Sequence, residues 1–521
     1  MKGRQLARFQ GSGVIRDAAP NSVPEKYWTA ARDVVFRDHA ERIQGRAQVF
    51  GTPGVPPEYV QFARGTNYAP VWLYAGAAGA WIADGVAHTD VTPADWEVAT
   101  DEGHFTGGDL NGVPVLSTGA GAWYWPGTGP LTLLPGWGVG DATYALRPFR
   151  YHLIALGWKS STEETPDMVR WSAAAAPGEV PASWTPAATN EAGYFTLSET
   201  PGAVIDGAVL RGAFVAYKNR SCYLIDYIGG AKVFAQRVLF TEIGVMARHC
   251  ICKMAENHIV LTEDDLVIHD GTSVRSLVEG RIRREMFRNA DGDALRRSFV
   301  VPHASAGEVW VCMAEPGAAY PNVAYVWNRA RDVWGVRELP EQPAHIAVGA
   351  IAVSAGGGPA GPAWDTDSDF WDIDTDVWDT GTVAELGIGE LLEACPGVAP
   401  GAFYAVDAAN TRDGELVAGF LERTGLSCGA EDRYKTVKRV WIDATGTPGD
   451  VLAIRLGAST EPNGDPVYGA PALFTIGSGS YVNLYATGRW FGVRIEGAGA
   501  ADLAPWRVQG LQLEFDLRGH Y

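Results

Sequence analysis

Three short stretches of this chain share one signature: an apolar run, a glycine turn and a return run. Ala80-Trp81-Ile82-Ala83 leads through Asp84-Gly85 to His88-Thr89; Ala122-Trp123-Tyr124-Trp125 leads through Pro126-Gly127 to Leu131-Thr132-Leu133; Leu266-Val267-Ile268-His269 leads through Asp270-Gly271 to Val274. Each reads as a β-hairpin, because glycine supplies the backbone angles that a tight turn demands. Such hairpins are common, so their spacing carries more information than their chemistry. Gly85 to Gly127 is 42 residues and Gly230 to Gly271 is 41, which matches the roughly 40 to 45 residues of one four-stranded propeller blade. Met168-Val169-Arg170-Trp171-Ser172 falls where another strand end is due, and 323–328 followed by Trp334 gives a later one. These six sites predict a β-propeller of about six blades, with five or seven also compatible because the steps are uneven. The competing reading is a two-sheet sandwich with chance spacing; radial closure is preferred because it leaves only short, protected strand edges.

Beyond about residue 400 the pattern changes. The segments 437–442, 451–456, 481–485, 490–495 and 511–517 alternate or cluster apolar residues between Gly, Pro and Asn turns. Period-two alternation puts Arg489, Phe491, Val493 and Ile495 on one face, and a separate β-sandwich follows. The class is all-β, divided as an N-terminal segment 1–50, a propeller 51–400 and a sandwich 401–521. Helical signals are few. Ser22 and Glu25 form a capping box with Pro24 in the first turn, which predicts a short helix holding Trp28, and 279–289 is a second short candidate.

Formal charge is −19 with a pI near 5.0, and no long basic tract offsets it. Tight binding to nucleic acid needs Lys and Arg to neutralise phosphates, so the chain is not expected to grip DNA, although a surface that lets DNA pass is compatible. Met1 to Gln10 has Lys2, Arg4 and Arg8 but no apolar run behind them, which argues against a secretory signal. No stretch approaches the ~18 apolar residues of a membrane span. Six cysteines (Cys222, Cys250, Cys252, Cys312, Cys395, Cys428) fall mainly in strand-like segments and read as buried free thiols. His249, Cys250, Cys252 and His258 lack the second ligand pair that a structural zinc site requires.

Two charged clusters stand out. Between 364 and 380 the pattern Trp364-Asp365-Thr366-Asp367, Trp371-Asp372-Ile373-Asp374, Trp378-Asp379 repeats every seven residues. Asp365, Asp367 and Asp369 copy the first positions of a calcium loop, but Phe370 replaces its turn glycine and Asp376 its bidentate Glu. No metal is therefore expected, and Asp365, Asp367, Asp369, Asp372, Asp374, Asp376 and Asp379 are candidates for an interface or lumen loop. The second cluster, Arg281, Arg283, Arg284 and Arg288 with Arg296 and Arg297 nearby, interrupts an acidic chain. It reads either as a solvated helix face with intrachain ion pairs, as a contact with an acidic patch on another subunit or an adaptor, or as a phosphate contact.

The segment 214–340 resembles tail nozzle proteins of short-tailed bacteriophages. The resemblance rests on Tyr217-Lys218 with Ser221 and Tyr223, Tyr227-Ile228-Gly229-Gly230 before Val233-Phe234, Gly244 before His249-Cys250, and His258-Ile259-Val260-Leu261-Thr262 with Asp264-Asp265 before Asp270-Gly271. Ser276, Arg283-Arg284, Trp327-Asn328 and Trp334 complete it. Pro24-Glu25-Lys26-Tyr27-Trp28 with Ala31, Val34 and Phe36, and the Trp-Asp run, are similar to the same family. The resemblance implies a virion structural protein, assembled in the host cytoplasm, six copies of which form a tube below the portal and its adaptor ring. It implies as partners the adaptor, a tail fibre or plug protein, and passing double-stranded DNA, with no cofactor and no membrane insertion.

Two rivals remain on the residues alone. A propeller glycoside hydrolase needs two carboxylates across the scissile bond, and nothing among 61 acids picks out a pair; no His-Glu-x-x-His, Gly-x-Ser-x-Gly or phosphate-binding loop is found. The expectation is therefore not an enzyme. A carbohydrate-binding host-attachment protein would use Trp72, Trp81, Trp123 and Trp125 to stack on sugars, whereas their strand positions suit blade packing.

Overall fold

A computed structural model describes residues 5–9, 12–64, 70–85, 87–100, 104–230, 232–288, 292, 294–351, 389–500 and 503–519. The chain is a β-propeller joined to a β-sandwich. Five consecutive four-stranded antiparallel sheets at 59–90, 106–133, 142–196, 204–240 and 251–276 form blades 1 to 5, and the four strands within 299–338 form blade 6. Each of the three glycine turns joins the third and fourth strands of its blade. Gly85, Gly127 and Gly271 have φ of 95°, 91° and 90°, a region L residues with a Cβ rarely adopt.

A seventh blade makes the wheel one larger than the count of six. Its strands His345–Gly349, Glu390–Cys395 and Ala402–Ala409 are completed by Gly45–Val49 from the other end of the chain, with Phe403 opposite Val49 and Ala405 opposite Ala47. The first strand of this blade packs on the first strand of blade 1 and closes the ring. Because Ala402–Ala409 belongs to the wheel, the second unit starts later than 401, at Phe420–Leu426.

The sandwich buries one face of each sheet against the other. One sheet holds Gln5–Phe9, Arg507–Leu517, Lys435–Thr445 and Tyr481–Gly488; the other holds Ala30–Arg32, Phe420–Leu426, Trp490–Gly497 and Val451–Ser459, with two short edge strands. Phe491, Val493 and Ile495 lie together in its core with Val440, Ile454 and Leu513, as the alternation requires. Trp28 is buried there too, but no helix carries it: Pro20–Ser22 is a single 3-10 turn and Val23 is already extended. The Ser22 hydroxyl donates back to the Ala19 carbonyl at 2.8 Å instead of capping a helix. The second helical candidate is shorter than its signal, Arg283–Arg288.

The N-terminal segment fastens the two units. Ala30–Arg32 pairs with the sandwich, Val34 pairs with Val336 of blade 6, Ala40 pairs with Val508 of the sandwich, and Gly45–Val49 enters blade 7. Blade 6 thereby runs into one continuous ten-stranded sheet with the sandwich. The buried Arg42 guanidinium spans the seam, donating to the carbonyls of Asn410, Val417 and Leu503 at 3.2, 3.1 and 2.6 Å.

Candidate functional site

Propeller geometry brings the first strand of every blade to the axis, so residues just ahead of those strands collect at one mouth. Tyr59, Phe105, His249, Phe299 and His345, each within two residues of the start of a first strand, line one cavity there of about 230 Å³. Arg248, Arg296 and Arg297 line it as well, with Glu58 the one carboxylate among its described lining residues.

Below the mouth, side chains of several blades meet near the axis. Arg147 of blade 3 donates from Nε and Nη2 to the two carboxylate oxygens of Asp206 of blade 4, both at 2.8 Å. Asp206, 2% exposed, also accepts the backbone N–H of His249 at 2.9 Å and of Gly207 at 2.8 Å. Burial pushes the Asp206 carboxyl up, but the Arg147 guanidinium and the His249 contact outweigh it and hold it below the usual carboxylate range. His249 donates from Nε2 to the Phe105 carbonyl at 2.7 Å, and burial, aided by Arg147, lowers it to about 4. His345 is pushed well below its ordinary value by burial, then by His249 and Arg147. Its ring lies 4.7 Å from Tyr59 and 4.8 Å from His249. A second hollow of about 400 Å³ shares Arg147, His249, Phe299 and His345 with this layer. Neutral rings and a satisfied ion pair thus line the axis between the two hollows, and the axial carboxylate is held as a fixed anion rather than poised as an acid.

Of the residues singled out from sequence, the seven aspartates from Asp365 to Asp379 lie outside the described residues. Their described flanks, Ile351 and Gly389, lie between the first and second strands of blade 7. The arginine cluster divides. Arg281 pairs with Asp332 at 2.8 Å and Arg283 with Asp264 at 3.1 Å, the intrachain alternative, while Arg284 and Arg288 are exposed on the short helix. Arg296 and Arg297 belong to the axial mouth instead, where Arg297 lies over the Tyr320 ring at 5.0 Å and bonds the Ala319 carbonyl.

His249, Cys250, Cys252 and His258 do not converge. Cys250 Sγ donates to the Ser298 carbonyl at 3.1 Å, and His258 Nδ1 meets the Tyr217 hydroxyl at 2.9 Å. All six cysteines are buried and unbridged. Trp72, Trp123 and Trp125 are buried in blade packing and Trp81 is half-buried. The sequence reading missed Arg248 and His345 as mouth residues; the available signal was position, since Arg248 and His249 precede blade 5 as Arg296 and Arg297 precede blade 6.

Among the described residues twelve large apolar side chains are exposed: Val139, Val274, Leu416 and Leu517, and eight that fall on two regions. On blades 3 and 4, Tyr151, Tyr194, Tyr227 and Ile228 are exposed, and Tyr194 lines an open groove whose wall includes Trp171 and Phe234. On the sandwich, Val467, Leu473, Tyr481 and Tyr485 sit on edge strands, Val467 at 82% and Tyr485 at 74% exposure. Among the described residues no helix is long and apolar enough to cross a membrane.

No family model matches the chain, and no curated protein matches it. Among solved structures it is similar to the extracellular domain of the putative hybrid two component system BT3049 from B. thetaiotaomicron, at 10% identity and TM-score 0.39, covering 82% of this chain and 47% of that one. The chain thus spans about half the length of that relative. It is also similar to apo AztD from Citrobacter koseri, at 12% identity and TM-score 0.30, covering 55% and 87% of the two chains. BBS1N in complex with ARL6DN gives 10% identity and TM-score 0.31, covering 65% and 97%. None of the three is described as a phage protein, and the fold assignment rests on the strand pairing above.

Proposed function

We propose that this protein is a structural subunit that assembles with copies of itself, in the manner of a tail nozzle of a short-tailed phage, and is not an enzyme. The observation that carries the reading is the pair of exposed apolar sets, one on the wheel and one on the sandwich. A ring of identical subunits is built by head-to-tail contacts, which need two different complementary patches on each copy. Exposed apolar surface can mark such contacts. The side chains that meet at the axis, Arg147 with Asp206 and Tyr59 with His345, crowd it, so in this reading any DNA conducted by the assembly passes between copies. A net charge of −19 then disfavours trapping of DNA in transit. In this reading the aspartate run faces that passage or a neighbouring subunit, and Arg284 and Arg288 are free to meet an acidic partner such as the adaptor.

Sedimentation velocity of the full chain tests this with two variants, Tyr485→Glu and Tyr194→Glu. Each is expected to weaken assembly while leaving the circular dichroism unchanged; a wild-type protein that stays monomeric at high concentration overturns it. One observation favours a second reading, host attachment: the groove beside Tyr194 is open and lined by aromatic rings, as sugar-stacking sites are. Saturable binding of host polysaccharide by the monomer, lost in Tyr194→Glu, would select it.

A further inference from the structure

We infer that self-assembly, on which this contact rests, seats one copy's hairpin 459–468 in the groove between blades 3 and 4 of the next copy. Val467 meets the aromatic wall of the groove and Asp465 meets Lys232. The hairpin joins Val451–Ser459 to the two-residue strand Val467–Tyr468, with Val467 opposite Ala458. It lies at the sheet edge away from Trp490–Gly497, which pairs with the other side of Val451–Ser459. Ala472–Thr475 pairs farther along that same edge, so exposed Leu473 and exposed Val467 belong to one border of the sandwich.

The groove suits an apolar segment of chain. Its volume of about 1,270 Å³ exceeds the ~300 to 1,000 Å³ of small-molecule sites, and Trp171, Phe195 and Phe234 line it with Tyr194. Much of its polar capacity is spent within the chain. Trp171 Nε1 donates to the Glu191 carbonyl at 2.7 Å, and the Glu191 carboxylate lies 3.3 Å from His152 Nε2. Asn190 Oδ1 accepts the N–H groups of Ala187 and Ala192 at 3.2 and 3.1 Å, while its Nδ2 donates to the Thr185 carbonyl at 3.0 Å. Such a wall gives a branched aliphatic side chain apolar contact and leaves a sugar few hydrogen-bond partners.

Charge selects the partner. Lys232 is the one cation that lines the groove; it is exposed and forms no ion pair with a described residue. On the hairpin, Glu461 and Asp465 are exposed, and neither carboxylate forms an ion pair with a described residue. The contact thus brings an unpaired cation against unpaired anions, and complementary charge fixes docking register. Groove and hairpin lie on different units of the chain, so each copy offers both halves of a head-to-tail contact.

Sedimentation velocity of the full chain tests the contact through two charge reversals, Lys232→Glu and Asp465→Lys. Both positions are exposed, so circular dichroism is expected to stay unchanged. Each reversal alone sets like charges against each other and is expected to weaken association at least about fivefold. Mixed in equal amounts, the two variant chains are expected to associate as the wild type does, because the groove of each is again complementary to the hairpin of the other. A general charge effect would not be relieved by mixing. Wild-type association that neither reversal weakens, or a weakening that mixing fails to relieve, overturns the contact, leaves self-assembly standing and gives the groove to another occupant. A wild type that stays monomeric overturns self-assembly and the contact with it.

Discussion

Replacing Arg147 by Met leaves Asp206 charged, 2% exposed and supported only by the backbone N–H groups of His249 and Gly207. Removing one partner of a buried ion pair costs about 3 to 5 kcal/mol, because the remaining charge has lost its compensation. The pH dependence has a definite sign. In the wild type the folded Asp206 pKa lies below the unfolded value, so its contribution is present above about 3.9 and is lost as pH falls through the folded value. In Arg147→Met burial is opposed only by the His249 and Gly207 contacts, the folded pKa is expected to rise above the unfolded one, and the penalty is largest at high pH and shrinks as the carboxyl takes up a proton. Urea unfolding followed by tryptophan fluorescence at pH 8 and pH 5 measures both effects. The double variant Arg147→Met with Asp206→Asn should recover about 1 to 3 kcal/mol of the loss, since Asn carries no charge yet keeps an oxygen for the His249 N–H. A cost below about 1 kcal/mol that does not vary with pH would refute the reasoning.

Three further outcomes are expected. Arg42→Ala removes three hydrogen bonds to carbonyls across the seam of wheel and sandwich and should cost about 3 kcal/mol, splitting thermal unfolding into two transitions where one is expected for the wild type. Ala47→Pro places a residue without an N–H in the strand that completes blade 7, at about 3 kcal/mol. Amide exchange in 390–395 and 402–409 should then accelerate; unchanged exchange there would count against closure by Gly45–Val49. His249, His258 and His269 are each lowered to about 4, burial being the main cause. The unfolded chain binds protons first, so stability is intact above pH 6.5 and falls between 6.5 and 4, by up to about 3 kcal/mol for each histidine. Unfolding midpoints at pH 7.5 and 4.5 report this, and equal midpoints would contradict it.

The wheel was legible because its repeat is local. The third-to-fourth strand hairpins at Gly85, Gly127 and Gly271, and the strand ends near Ser172, Gly230 and Asn328, mark six blades, and all six sites fall at the end of a third strand. The seventh left no such mark. Its fourth strand lies at Gly45–Val49, some 300 residues before its first, and its first two strands are separated by 350–389, so no hairpin recurs at the blade interval. The helix expected after Ser22 failed for a related reason: Trp28 and Ala31 are claimed by the sandwich core, and tertiary pairing of Ala30–Arg32 with Phe420–Leu426 overrides a local capping signal. The Phe491, Val493, Ile495 face was readable because alternation in a half-buried strand has one physical cause. The axial mouth was not readable, because Arg248, Arg296 and His345 are neighbours only once the ring has closed.

Electron microscopy of the purified protein, or of the particle that carries it, tests the self-assembly claim most directly. The account predicts closed rings in which each copy is a seven-bladed wheel with its sandwich alongside, and in which the open passage lies between copies. A uniform population of single 55.8 kDa chains, or DNA density running through the axis of a wheel, would contradict it.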